Sequence, residues 1–366
     1  MTLVRRAEEK DRQAFLELWK VCFGDSDAFC DWFFTHRFLP SYSVVLETEG
    51  EIASCMQAFP YMLWIRGREI PAAMLCGVST HPKHRKKGYM GQIFRYEMQL
   101  LREKGCMAAP HTPAVLPSYF SFGHLPVADA GYLTCRAVPS IKESRRLVPM
   151  EGEALESLYP FYQRIAVGYS GMVARTKEDF LRKAADYAAD GGRCAAYIEK
   201  EEIKGYAFYY RTEQEMTCVE VLAEDGYYHF LLEGLFVMAE GLAFSAKLPP
   251  ERYLSFPFAK LERKQKGVMG LCNVSALLRA LELRIPYCVQ VQDAVVPENN
   301  GVFDFQGNTV KDVPIFAITA GHLMQALVGY ASLEELRAEL QIFDEERFQE
   351  INVRLPKQDC YIIDEY

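Results

Sequence analysis

The run Cys76-Gly77-Val78-Ser79-Thr80-His81-Pro82-Lys83-His84-Arg85-Lys86-Lys87-Gly88-Tyr89-Met90 changes character twice within fifteen residues. Its beginning continues a stretch of small apolar and β-branched residues from Ala72 to Ser79, the composition of a strand. After His81-Pro82, apolar residues recur every three or four positions (Met90, Phe94, Met98, Leu101) as far as Lys104-Gly105, which is a helix closed by a cation and a glycine. A short basic loop containing one glycine therefore joins a strand to a helix. A helix N-terminus exposes unsatisfied N–H groups and the positive end of the helix dipole. Arg85, Lys86 and Lys87 add charge at that point, and Gly88 has no Cβ to hold an anion away. The loop suits a pyrophosphate.

Working outward, Phe15, Leu18, Trp19 and Cys22 form one apolar stripe over Asp11 to Phe23, an amphipathic helix that ends at Gly24-Asp25-Ser26-Asp27. Ser43 to Glu47, Ile52 to Phe59, Met62 to Arg66 and Ala72 to Ser79 have strand composition. Glu49-Gly50-Glu51 and Arg66-Gly67-Arg68 punctuate them as hairpin turns, which predicts an antiparallel meander. Past Leu147, helical patterns at Leu155 to Ala166 and Lys177 to Ala189 precede strands at Ala195 to Glu199, Gly205 to Arg211 and Met216 to Ala223, then a helix from Gly226 to Phe244. This order echoes the first stretch without a second basic loop. A third pattern begins near Gly270: a helix at Val274 to Leu281, strands at Cys288 to Val295 and Gly301 to Phe305, and helices at Ala320 to Val328 and Leu333 to Leu340. Pro249-Pro250 and Lys260 to Lys266 mark a seam before it.

The 366 residues exceed one compact core, and at about 150 residues per domain two or three are expected. With 50% hydrophobic and 25% charged residues the chain is of ordinary globular composition. The most apolar run, Phe230 to Phe244, is interrupted by Glu233 and Glu240 and is too short to span a membrane; no membrane partner is expected. No apolar stretch follows Arg5-Arg6, so no secretory signal is expected, and the 11 cysteines lack a Cys-x-x-Cys pair. They predict buried thiols in a reducing cytoplasm. His81 and His84 have no neighbouring Cys or carboxylate cluster, so no metal is expected. A net charge of −8 argues against nucleic acid as a partner, and points the basic loop toward a small molecule.

The quoted run resembles the acetyl-CoA signature of the GCN5-related N-acetyltransferases (GNAT), and Ser118-Tyr119-Phe120-Ser121-Phe122-Gly123 resembles their Tyr-x-x-Phe-Gly segment. Many members have Gly or Ala where this chain has Met90, a departure that resembles the enhanced intracellular survival branch. Gly267 to Val274, Val291-Gln292-Asp293 with Asn300-Gly301, and Leu327 to Tyr330 resemble that branch's sterol-carrier-protein-like C-terminal domain. The resemblance implies an α/β (α+β) chain: a catalytic GNAT domain at 1–140, a degenerate second one at 141–262, each a mixed, mostly antiparallel sheet flanked by helices, and an α+β sterol-carrier-like domain at 263–366. It implies acetyl-CoA as co-substrate, direct transfer to a primary amine in a ternary complex, and a homo-oligomer. Val78, Ser79 and Thr80 would hold the pantetheine arm through their backbone, and Arg85, Lys86, Lys87, Gly88, Tyr89 and Met90 would cradle the diphosphate.

Acetyl transfer to an amine needs an acid for the departing thiolate and a base for the nucleophile. Tyr119 is the candidate acid, a phenol of ordinary pKa about 10 against a thiol near 8.5. No histidine or glutamate stands in an obvious place for the base; His111 is nearest. The resemblance implies instead the chain's own terminal carboxylate, at Tyr366, carried by the apolar run Cys360-Tyr361-Ile362-Ile363. Asp25, with Trp32 and Phe33, resembles the acidic and aromatic lining of the family's amine pocket, and Glu365 stands beside the candidate base; the resemblance implies a small cationic acceptor, aminoglycoside-like, and polyamines, aromatic amines or lysine side chains fit the same physics. Two further readings are open: a non-catalytic acyl-CoA-binding regulatory module, and a lipid carrier in the C-terminal domain.

Overall fold

The computed structural model describes residues 2–141, 146–250 and 254–365. The chain forms two compact units, one of Met1–Ala128, Tyr169–Val173 and Lys266–Tyr366, the other of Asp129–Gly168 and Ala174–Gln265.

In the first unit, strands β1 (Thr2–Arg6), β2 (Ser43–Thr48), β3 (Glu51–Ile65) and β4 (Arg68–Thr80) run antiparallel in chain order, and β5 (Ala108–His111) joins parallel to β4. Both meander turns are two-residue loops with positive φ at each position: Glu49 and Gly50 between β2 and β3, Arg66 and Gly67 between β3 and β4. That geometry matches the twist of paired strands. The two strands expected at 52–59 and 62–66 are one, because Pro60 is exposed and the pairing with β4 runs unbroken through it. On the sheet lie α1 (Arg12–Cys22), α2 (Asp27–His36) and α3 (Tyr89–Glu103). The first buries Phe15, Leu18 and Trp19 as the periodicity requires. The second, not expected from the sequence, is a short helix that buries Cys30, Phe33 and Phe34 and exposes Asp27, Asp31 and Thr35; the hydroxyl of Ser26 caps it by accepting from the Phe29 amide. The third buries Ile93, Phe94, Met98, Leu100 and Leu101.

Residues 266–366 belong to this same unit. Val268 to Leu271, expected beyond a seam, pair antiparallel with His111 to Ala108 and extend the sheet. A second sheet of four strands has the order Gly301–Asp304, Cys288–Gln292, Phe316–Thr319, Gln341–Ile342. Leu277, Leu281, Phe316, Leu323, Leu327 and Phe348 share one core with Leu63, Ile65 and Ile70 of β3 and β4. Arg66 in the β3–β4 turn donates to the carbonyls of Leu327 (2.7 Å) and Ala326 (2.9 Å), the last carbonyls of the helix Ala320–Val328. The helix expected at 333–340 is turns with a short 3-10 segment, Arg337–Glu339; the last helix is Glu345–Arg354, capped by Asp344. The tail Cys360 to Ile363 is buried, with Ile362 against Gly267.

The second unit is a sheet in the order Val148–Pro149, Arg193–Glu199, Glu202–Arg211, Glu215–Ala223, Ala243–Leu248, with residues 131–135 antiparallel to the last. The helix expected over 226–244 is Tyr228–Met238; Gly241, at positive φ, turns the chain, and 243–246 pair parallel to 215–218. Helix Tyr159–Ala166 starts late for the expected 155–166, with Pro160 in its first turn. Fully buried Glu220 accepts two hydrogen bonds from Arg175 (3.0 and 2.9 Å) and one from Tyr206 (2.5 Å), so the charge is paired inside the core. All 11 cysteines are free thiols. Among the described residues no helix is long and apolar enough to cross a membrane.

Candidate active site

Strand β4 does not stay beside β5. Their register is the single pair Ala72 and Ala108 at the foot of both, and above it a cavity of about 500 Å³ is lined from one side by Leu75, Cys76, Gly77, Val78 and Thr80 of β4. From the other come His111, the Thr112 to Val115 loop, Ser118 and Tyr119. The pairing of β3 with β4 slips by one residue opposite Met56, leaving Gly77 and Val78 as a bulge. Gly77 has φ +58°, and a Cβ there would stand 2.5 Å from Trp19 Cζ3. Glycine is needed at that position on both counts, and the bulge turns the next residues toward the cavity.

At the cavity's mouth the loop of Lys83 to Gly88 enters α3. Gly88 is its N-cap, at φ +73°, with nothing within 4 Å of where a Cβ would be. Among the described residues none accepts a hydrogen bond from the amides of Lys86 to Met90. Arg85, Lys86 and Lys87 are exposed, so cations surround amides that have no partner of their own. His84, the one buried side chain of the loop, pins it: Nε2 meets Glu51 Oε1 at 2.7 Å and Nδ1 meets Lys87 Nζ at 3.3 Å. Both nitrogens of the His-x-x-His motif's second member are thus engaged by a carboxylate and a cation.

Tyr119 lies in the 3-10 segment Leu116–Phe122, and Gly123 in the left-handed region ends it. Its ring centre is 4.4 Å from that of His111 and 5.9 Å from Phe94 of α3. Burial pushes the phenol up to about 12, so it stays protonated. His111 is buried and stacks on His124, centres 5.0 Å apart at 11°. Burial lowers His111 to about 3, and burial with its partner's proximity lowers His124 well below the ordinary range. Both imidazoles are neutral; among the described residues none of their ring nitrogens has a hydrogen-bond partner.

The cavity gathers Val78, Thr80, Met90, Tyr119 and Glu365 of the residues singled out in the sequence, with His111. Ser79 turns the other way, buried, its hydroxyl on Cys55 Sγ at 3.1 Å. Asp25 accepts from Trp19 Nε1 at 2.8 Å, Trp32 packs at a tilt against His36, and Phe33 is buried among Trp19, Phe34 and Phe59; none of the three lines the cavity. Tyr366 lies outside the described residues. Lys266, Phe23 and the Thr112 to Val115 loop line the cavity without a sequence signal, since they arrive from segments distant in the chain. Lys266 Nζ is 3.2 Å from Glu365 Oε2.

A parted pair of parallel strands, a bulge between them and an open helix N-terminus at the mouth make a slot for an extended arm that ends in an anion. Residues 3–126 match the acetyltransferase (GNAT) domain family. The GNAT match holds β1 to β5, α1 to α3 and Tyr119, and so the whole β4 side of the cavity. Among curated proteins none matches. Solved structures resemble the entire chain in fold: a probable N-acyltransferase of Enterococcus faecalis V583 (18% identity, TM-score 0.83), a GCN5-related N-acetyltransferase of Anabaena variabilis ATCC 29413 (15%, 0.82) and Eis1 of Mycobacterium abscessus (15%, 0.77). Each alignment covers 100% of both chains. The fold is a GNAT-like mixed α/β arrangement with a second sheet in the C-terminal region.

Proposed function

We propose that this protein is an acetyl-CoA-dependent N-acetyltransferase acting on a primary amine, by direct transfer in a ternary complex. The observation that carries the reading is the cleft where β4 and β5 part, with Tyr119 in its wall and the unsatisfied amides before α3 at its mouth. The amides of Lys86 to Met90, with Arg85, Lys86 and Lys87, hold the diphosphate; the backbone of Val78 and Thr80 lies along the pantetheine arm. Acetyl-CoA supplies the activated acyl group, and the residues position and protonate. Tyr119, held neutral, donates a hydrogen bond toward the departing sulfur. With its phenol near 12 it is a weaker proton donor than an ordinary tyrosine but is never lost to ionisation at working pH.

His111 is ill suited to keep a proton, because burial puts its conjugate acid near 3. The base in this reading is the terminal carboxylate at Tyr366; its support is that Glu365, one residue earlier, lines the cavity behind a buried tail. Residues 263–366 are read as a sterol-carrier-like domain on the motifs at Gly267 to Val274, Val291 to Asp293 and Leu327 to Tyr330, and the enzyme as a cytoplasmic homo-oligomer on the same resemblance. The test is amine-dependent release of free CoA thiol. Wild-type protein releases thiol only when acetyl-CoA and an amine are both present, and Tyr119→Phe binds CoA unchanged but turns over slowly. Binding without amine-dependent release by the wild type would favour a non-catalytic acyl-CoA module.

A further inference from the structure

A carboxylate at the end of a chain serves as a base only if the end is held, and chain ends fray unless something ties them down. The tail of this protein is tied as far as Asp364. Ser170 N–H donates to the Asp359 carbonyl at 2.8 Å, and the Ser170 carbonyl accepts from Tyr361 N–H at 3.1 Å. Ile362 packs against Gly171 and Gly267, where a Cβ would stand 3.3 and 2.7 Å from its side chain, and Thr112 Oγ1 donates to the Asp364 carbonyl at 3.4 Å. These anchors grip main chain or apolar surface. The next residue is held differently: Glu365 Oε2 meets Lys266 Nζ at 3.2 Å, and both residues line the cavity. Lys266 comes directly before Gly267 on the strand Lys260–Leu271, so the glycine that makes room for Ile362 and the cation that meets Glu365 are neighbours in the chain. Among the described residues that line the cavity, Lys266 is the one cationic side chain.

Resting on the reading that the terminal carboxylate is the base, we propose that Lys266 is its positioning residue: the ammonium holds the last residues of the chain on the cavity wall through Glu365 and keeps the base ionised. An ammonium has three donors, and Glu365 takes one of them, which leaves others for a carboxylate one residue further on. The electrostatics have a definite sign. A carboxylate next to Glu365 holds its proton to higher pH through like-charge repulsion, and a cation beside both offsets that repulsion. The other titratable groups on the wall are His111, Tyr119 and Cys76, and Asp364 lies in the tail itself. Burial puts His111 at about 3 and Tyr119 at about 12, so neither titrates between about pH 5 and 9, where the base would be read.

The experiment is the pH dependence of kcat at saturating acetyl-CoA, with the acceptor that releases thiol fastest among spermidine, tyramine and an aminoglycoside. CoA affinity is measured on every variant, and each should bind as the wild type does. Lys266→Gln is expected to move the acidic limb of the profile up by about half a pH unit or more, the effect of one unit charge a few ångström away, and Lys266→Arg to restore it. Glu365→Gln is expected to move the limb the other way, because it removes the like charge and leaves the ammonium in place. A pair that only braces the wall would give the same loss in Lys266→Gln and Glu365→Gln with the limb unmoved; that result, or an arginine no better than a glutamine, overturns the proposal. Turnover unchanged by a peptide appended after Tyr366 would instead bring down the terminal base, and no thiol release by the wild type with any of the amines would bring down acetyl transfer itself.

Discussion

Tyr119 stands against His111, which stacks on His124, and among the described residues neither imidazole has a hydrogen-bond partner to stabilise a charge. Replacing it by Phe removes the donor while keeping the ring that packs on Phe94; kcat should fall by about 10² to 10⁴ with CoA affinity unchanged, and a smaller loss in steady-state kinetics would demote it to packing. His111 and His124 carry a pH signature of stability. Their folded values are depressed below an unfolded value near 6.5, so the unfolded chain binds protons first as pH falls. Stability present above 6.5 is lost toward pH 3, and denaturant melts of His111→Phe should show a shallower acid decline than the wild type. Glu97 has the opposite sign. It is fully buried in α3, and among the described residues its carboxylate has no hydrogen-bond partner; burial raises it well above the ordinary range. The unfolded chain releases that proton near 4.3 while the folded chain keeps it, so stability falls as pH rises above that value. Glu97→Gln should raise the unfolding midpoint at pH 8 and lose that advantage near pH 4, which thermal melts at the two pH values would check.

At the scale of elements, the strand, loop and helix around Gly88 were legible because three local signals agree: strand composition, a positive-φ residue and a 3.6-residue stripe. The meander was legible for the same reason, its two-residue turns being written as Glu49-Gly50 and Arg66-Gly67. Helix α2 was not, although Cys30, Phe33 and Phe34 are buried opposite exposed Asp27, Asp31 and Thr35, because its ten residues give the period little length in which to repeat. Nor was the strand Ala243–Leu248, whose apolar residues continue the preceding helix and are separated from it only by Gly241. The bulge at Gly77 lies between these cases: glycine was visible, but the need for it comes from Trp19 of α1, a contact no local pattern contains. Gly77→Ala should cost about 1–3 kcal/mol of stability, measured by denaturant melts, since the methyl group meets a ring packed in a core rather than a side chain free to move. A neutral result would mean that the bulge is not held by that packing.

At the scale of the molecule, the candidate site is assembled from segments that the sequence keeps far apart. Val78, Tyr119, Lys266 and Glu365 converge because residues 266–366 share a compact unit and a hydrophobic core with β3, β4 and β5. The β4 side of the cleft was legible, since it lies on consecutive elements. The facing wall was not, because nothing local marks Lys266, and because Trp32 and Phe33 of α2 pack against a core instead of lining the cavity. Glu365, which follows the buried tail, is part of the site's wall. Appending a short peptide after Tyr366 should therefore lower amine-dependent turnover at least about tenfold with CoA affinity preserved, whereas unchanged turnover would remove the terminal carboxylate from the mechanism. If the amides and cations before α3 grip a diphosphate, calorimetric titration with CoA reads that grip without any acceptor present. Saturable binding to the wild type, weakened about tenfold or more in Lys86→Glu/Lys87→Glu, is the predicted result; no binding by the wild type, or equal affinity in the double variant, would contradict it.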